Sequence, residues 1–337
     1  MKNILYIGNK LEGSGKTATT IDTLGPLLQK EGFNLRFASS IQNISKRFLH
    51  MMRVTYRSRN WADVVLIDTY STKNFWYAIT IARICKSLKL KYIPILHGGN
   101  LPERLIKNPK SIDTFITNAY AVVSPSDYLN SAFAKAGYHN IIKINNFIEI
   151  ENYPFKERIS IRPKLLWVRS FAQIYNPQMA IHVLKKLKEK YPDASLTMVG
   201  PEKDGSLEIC KQLVKELDVE VHFTGLLSKK QWVEISADQD VFINTAHFDN
   251  LPVSLLEAMA LGLPIISTDV GGIPYFIHHD VNGKLVPDKD INNMMTGIED
   301  LIENPKKTNE MINEARLKIK NYSWQKVRSQ WFSILSS

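Results

Sequence analysis

Apolar residues in this chain fall into short runs of strand length, separated by longer segments with helical spacing, and the alternation is sustained almost from end to end. Runs at 2–7, 35–38, 64–67, 92–96, 121–123 and 141–144 predict strands, with helices predicted over 17–30, closed by Gly32, and over 75–88. The pattern then restarts. Strands are predicted at 164–168, 195–199, 221–223, 241–244, 264–267 and 284–286, with helices at 177–190 and 207–217. Strands alternating with helices form parallel βαβ units, so each half predicts its own doubly wound α/β sheet. Between the halves, 151–163 is charged, proline-bounded and without period, and predicts a linker. Ligands of such sheets bind beyond the carboxyl ends of the strands. That rule selects residues 8–16, 68–71, 97–100, 169–171, 200–202 and 245–250, and two such crevices facing one another would enclose one ligand in a cleft.

Size agrees with two domains: 337 residues at 44% apolar content exceed what single cores usually hold. No apolar run approaches the ~20 residues of a membrane-spanning helix. The opening Met1-Lys2-Asn3 and the brief run Ile4 to Ile7 do not make the apolar core of a signal peptide. Cys85 and Cys210 lack metal-ligand spacing and suit a reducing compartment, so a cytoplasmic location is expected. Charge divides unevenly. Residues 1–150 hold 20 Lys+Arg against 9 Asp+Glu, so the whole excess of +10 is carried there. Much of it lies in 46–61, where Lys46, Arg47, Arg53, Arg57 and Arg59 interleave with Phe48, Leu49, Met51, Met52, Tyr56 and Trp61. Such a mixture suits an anionic membrane surface on the cytoplasmic face; a solvated basic helix with one core stripe is the alternative. No nucleic-acid motif accompanies the charge, and no nucleic-acid partner is expected.

Three short motifs invite chemistry. Gly13 to Thr17, GSGKT, has the end of a phosphate-binding P-loop, but the spacing requires glycine at position 10, which is Lys10. The Asp238-Gln239-Asp240 triplet has the D-x-D form of a metal site, yet it precedes a strand instead of following one, and reads as a solvated turn. His278-His279 has neither the spacing nor the partners of a metal centre. No metal and no other cofactor is expected.

The most informative segment is NTAHFDNLPVSLLEAMALGLPIISTDVGGIP, residues 244–274. Asp249 or Asn250 predicts a cap for a three-turn helix with Pro252 near its start and Gly262 at its end. Its free N–H groups and dipole make an anion site suited to a pyrophosphate. Glu257 shares that helix with Val253, opposite a core face of Leu256 and Ala260. A carboxylate there either grips the two vicinal hydroxyls of a ribose or is an exposed surface acid.

The spacing Asp249-x7-Glu257 with LLEAMALGLPIIST, followed by DVGGIP and VNGKLVPD, resembles the donor-binding signature of the retaining family-4 glycosyltransferases of the GT-B fold. LLWVRS, YPDASLTMVGPEKDG and VHFTGLLSKKQW resemble that family's preceding strands, and HGG with AVVSPSDYLNSAFAKAG its acceptor domain. The resemblance implies two Rossmann-like domains: an acceptor domain over 1–155, to which a terminal helix over 322–337 returns, and a donor domain over 156–321. It implies retention of anomeric configuration without metal, and transfer from a UDP- or GDP-sugar to a glycan or lipid-linked acceptor in cell-surface polysaccharide or glycoconjugate synthesis. Residue by residue, Glu257 corresponds to the acid on the ribose, Asp249 to the acid on the transferred sugar, one methylene shorter than the usual Glu, Arg169 to the cation on the diphosphate, and His97 to a histidine near the sugar. Gly200, Pro201, Asn250, Leu251 and Val253 line the donor site. The family's lysine six residues after the arginine is Tyr175 here, and Lys10 or Lys16 is the candidate replacement. Gly13 and Gly15 then form a glycine-rich turn at the phosphates. Two rivals remain at this point: a non-catalytic nucleotide-sugar or glycan-binding relative, and a degenerate P-loop NTPase.

Overall fold

The computed structural model describes residues 2–11 and 18–336. Two compact units emerge, one comprising Met1–Asn145 with Arg328–Ser337 and the other Asn146–Val327.

In the first unit β1 (Asn3–Ile7), α1 (Thr20–Lys30), β2 (Asn34–Ala38), α2 (Ile44–Arg57), β3 (Val64–Thr69), α3 (Phe75–Ser87) and β4 (Lys91–Leu96) alternate strictly. There follow α4 (Leu101–Lys107), α5 (Pro109–Thr117), β5 (Val122–Ser124), α6 (Asp127–Lys135) and β6 (Ile141–Lys143). All neighbouring strands are parallel, in the order β2-β1-β3-β4-β5-β6. Helices cover both faces of the central strands, which is why Ile4, Leu5, Tyr6 and Ile7 are all fully buried although their side chains point alternately to opposite sides.

The second unit repeats the plan. It runs β7 (Lys164–Val168), α7 (Pro177–Lys190), β8 (Ser195–Val199), α8 (Ser206–Glu216), β9 (His222–Gly225), α9 (Lys229–Ser236), β10 (Val241–Asn244) and α10 (Val253–Ala260). After β11 (Ile265–Thr268) and β12 (Lys284–Val286) come α11 (Ile291–Glu303) and α12 (Pro305–Ile319); the last helix, α13 (Trp324–Ser336), belongs from Arg328 onward to the first unit. The parallel order is β12-β11-β10-β7-β8-β9. Two six-stranded doubly wound sheets thus stand where the sequence predicts two Rossmann-like domains.

The predicted linker is not free. Arg158, only 3% exposed, donates to the carbonyls of Gly262 (2.7 Å), Leu261 (3.0 Å) and Gln239 (3.1 Å), fastening residues 151–163 to the second unit. Asp240 lies 3.6 Å from the Arg158 guanidinium and accepts from Arg162 Nε at 2.5 Å. The reading of 238–240 as a solvated turn is therefore corrected: Asp240 is buried as the counter-charge of two arginines. Burial lowers the Arg158 pKa to about 10, an effect that Asp240 partly opposes.

The basic stretch forms α2, capped by the Asn43 side chain accepting from Lys46 N at 3.0 Å. Arg47 is buried and donates to the carbonyls of Ile41 and Gln42, and Met51 enters the core. On the other side Lys46, Arg53, Arg57 and Arg59 are exposed beside exposed Ile44, Leu49 and Tyr56. Among the described residues no helix is long and apolar enough to cross a membrane.

Candidate active site

In the second unit the loops after β7, β8 and β10 meet. Arg169 N donates to the Val199 carbonyl at 3.0 Å, which draws the ends of β7 and β8 together. Gly200 permits the approach: at φ +152° its missing Cβ would stand 1.8 Å from the Arg169 carbonyl oxygen, so no other residue fits. Pro201 follows, its carbonyl accepting from Phe171 N at 2.8 Å.

The Arg169 guanidinium, partly buried, forms an ion pair with the Asp249 carboxylate and stacks 4.3 Å from the Tyr175 ring centroid. Burial of the guanidinium disfavours its charge, but the adjacent Asp249 outweighs this and the pKa is raised, so Arg169 is cationic at any working pH. Arg169 Nε is buried and has no partner among the described residues. Tyr175 therefore contributes an aromatic platform where the resemblance implies a lysine. Lys203 reaches the same ring at 5.7 Å.

Asp249 does not cap α10, contrary to the sequence expectation, and neither does Asn250. Pro252 occupies the capping position with extended backbone, while Asp249 Oδ1 accepts from Asn250 N at 2.8 Å and its carboxylate faces Arg169. The Asp249 carbonyl accepts from Gly272 N at 2.9 Å, so the glycine pair at 271–272 packs under the loop. Asn250 and Leu251 are buried and Val253 is half-buried at the first turn.

The two faces expected of α10 are also corrected, because every residue from Ser254 to Ala260 is buried. An exposed-acid reading of Glu257 fails for the same reason: it is 4% exposed. Its carboxylate accepts from Tyr153 Oη at 2.7 Å and forms an ion pair with Lys229, the first residue of α9. Burial and the Glu257 charge both hold the Tyr153 phenol well above its ordinary pKa, so it is a permanent neutral donor. A buried carboxylate so held has a fixed direction and lone pairs to spare for further donors, which is what two adjacent hydroxyls supply.

In the first unit His97 follows β4, its backbone N donating to the Thr69 carbonyl at 2.9 Å. The ring contacts the buried Asp68 through Nε2 at 2.9 Å. Lys10 places its ammonium 3.5 Å from Asp22 and 4.9 Å from the Phe37 ring centroid. Gly13, Gly15 and Lys16 lie outside the described residues, as does the GSGKT motif. The structure thus gathers Arg169, Gly200, Pro201, Asp249, Asn250, Leu251, Val253 and Glu257 within one unit. Two partners escaped the sequence reading, Tyr153 and Lys229, whereas Asp68 falls within the strand-end residues 68–71 that the crevice rule selects. The first two lie 104 and 28 residues from Glu257, and no spacing rule connects them.

Comparison with known proteins agrees with this architecture. The family model for glycosyl transferases group 1 matches residues 149–318. An uncharacterised glycosyltransferase of Haemophilus influenzae is 29% identical, over 99% of this chain and 100% of that one. The amylovoran biosynthesis glycosyltransferase AmsK of Erwinia amylovora is 26% identical, over 68% of this chain and 58% of that protein. Among solved structures, HepE of Anabaena in complex with UDP-glucose superposes with a TM-score of 0.80 at 17% identity, covering 100% of both chains. The chain belongs to the glycosyl transferases group 1 family and is a transferase of the GT-B fold.

Proposed function

We propose that this glycosyltransferase moves a sugar from a nucleotide-sugar donor, UDP- or GDP-linked, to a glycan or lipid-linked acceptor in the synthesis of a cell-surface polysaccharide or glycoconjugate, with retention of configuration and without a metal. The carrying observation is the pairing of Arg169 with Asp249 beside a buried, oriented Glu257. Cleaving an anomeric carbon–oxygen bond builds charge on the departing diphosphate, and a preorganised cation opposes that charge most where water is scarce. In this reading Arg169 takes the diphosphate, Asp249 turns to the transferred sugar, and Glu257 holds the ribose. A fold neighbour solved with UDP-glucose and a relative named for amylovoran biosynthesis support the donor class and the acceptor class in turn.

The first unit takes the acceptor in this proposal, with α2 resting on an anionic membrane face. Four exposed cations beside Ile44, Leu49 and Tyr56 favour that over a merely solvated helix, since exposed apolar side chains gain only where lipid receives them. Purified protein incubated with UDP-, GDP- and ADP-sugars and lipid-linked or glycan acceptors tests the activity. Release of one nucleoside diphosphate, unaffected by EDTA, with product anomer matching donor by NMR is expected. No release from any donor overturns the reading; an EDTA-sensitive or inverting reaction overturns its metal or stereochemical part.

A further inference from the structure

β3 is an apolar strand buried at every residue, and Asp68 breaks it at zero exposure. An isolated carboxylate in such a place is strongly disfavoured, so its partners define its purpose. Oδ1 lies 2.9 Å from His97 Nε2 and accepts from Tyr6 Oη at 3.0 Å. Oδ2 has no partner among the described residues. The site was kept open for this carboxylate by Gly8, whose Cβ would stand 2.5 Å from Oδ2.

The surroundings leave His97 as the partner that carries a proton for the pair. Tyr6 on β1, Tyr70 after β3 and Tyr77 on α3 are all held far above the ordinary phenol range, by burial first and by the charge of Asp68 as well. They remain neutral. Asp22, with Lys10 at 3.5 Å, stands at the start of α1, and Arg47 on α2 is turned to backbone carbonyls. His97 is held from two directions, Nε2 by Asp68 and the ring by Tyr70 at 5.5 Å and 33°, while among the described residues the polar contact of Nδ1 is the Thr20 hydroxyl at 3.5 Å.

We propose that Asp68 is a positioning residue for the transfer reaction, holding His97 with its Nε2–H directed into the protein so that Nδ1 presents a lone pair to a substrate hydroxyl at the carboxyl end of β4. Thr20 is the placeholder for that hydroxyl. The inference rests on the reading of His97 as a residue that meets substrate, and it adds the tautomer, the group that enforces it and the nitrogen that is used. Asp68 itself touches no substrate.

Asp68→Asn, His97→Ala and the double variant test it, with sugar transfer and UDP binding measured on each. Asp68→Asn should lower kcat about 10- to 100-fold with donor KM and UDP Kd unchanged, since the donor residues are in the other unit. In the His97→Ala background the same change should cost nothing more. Additive losses, or a loss confined to KM, overturn the proposal. Nitrogen-15 spectra of neutral His97 give a readout independent of activity: the Nε2–H tautomer in wild type, and a shift toward the Nδ1–H form once the Asp68 charge is gone. An unchanged spectrum refutes the coupling even if no transfer is ever detected, and wild-type turnover by His97→Ala removes His97 from the reaction and with it the positioning role of Asp68. Should Asp68→Asn not fold, Gly8→Ala displaces the same carboxylate and must perturb the same His97 signals.

Discussion

Glu257→Gln separates the ribose reading from a purely structural role. Gln has the shape of Glu, and its side-chain oxygen still accepts from Tyr153 Oη, now 2.7 Å from the carboxylate. Lys229 is half exposed and returns to water at little cost, and a neutral amide in place of Glu257 leaves no buried charge unpaired. Thermal stability should therefore change slightly. Binding should not be spared: a carboxylate gripping two hydroxyls makes charge-assisted bonds of about 1.5–3 kcal/mol, and an amide keeps one acceptor and loses the charge. Dissociation of UDP, measured by calorimetry, should weaken by about 10- to 150-fold, at ~1.4 kcal/mol per decade. Binding of inorganic pyrophosphate, which has no ribose, should be unaffected. Tyr153→Phe gives the intermediate point, because it removes a neutral donor that orients the carboxylate and leaves the charge in place. UDP affinity within twofold of wild type in a folded Glu257→Gln variant would refute the argument, leaving Glu257 as the anchor of α10 to Tyr153 and α9.

Arg169→Ala should reduce kcat by about a hundredfold or more with a smaller loss of UDP affinity, because in the proposed reading its charge acts mainly on the departing diphosphate; steady-state kinetics showing the loss entirely in KM would reassign it to ground-state binding. Asp280 is held down to about 2, chiefly by its bond to the buried Lys284, so its stabilisation is complete above about pH 4 and is lost as pH falls through about 2; Asp280→Asn should flatten the stability curve in that window, as urea titrations at pH 2 to 5 will show. Wild type should sediment with vesicles containing anionic lipid at low salt and release at high salt, while a variant with Arg53, Arg57 and Arg59 changed to Ser should stay in the supernatant; wild-type indifference to anionic lipid leaves α2 a solvated face.

How far each feature could be read in advance follows from how local its cause is. Strands β1, β3, β4, β7, β8 and β10 announce themselves because a parallel strand covered on both faces must be apolar at consecutive positions, a property contained in four to six residues. Helices α11 and α12 escape that reading because they bury only a narrow stripe, such as Met311, Ile312, Ala315 and Ile319 among many polar neighbours. The position of Glu257 was legible from its motif, but its state was not. Whether an acid on a helix is solvated or buried depends on what arrives from elsewhere in the chain, here Tyr153 and Lys229.

Asp240 teaches the same lesson with the opposite expectation. In a triplet of polar residues it has every local mark of a turn, and only the arrival of Arg158 and Arg162 from the connecting segment turns it into a buried counter-charge. Removing one member of such a group exposes the dependence: Arg158→Met would strand Asp240 beside the exposed Arg162 and leave the carbonyls of Gln239, Leu261 and Gly262 without that donor. A buried charge deprived of its partner costs about 3–5 kcal/mol, and the half-exposed Arg162 lowers that only in part. The Gly262 carbonyl follows directly on α10, so the loss would loosen the far end of the helix that carries Glu257. The connecting segment, though remote in sequence from α10, is thus part of what keeps the Glu257 carboxylate in place. A charge pattern becomes a structural statement only when the positions of its counter-charges are known.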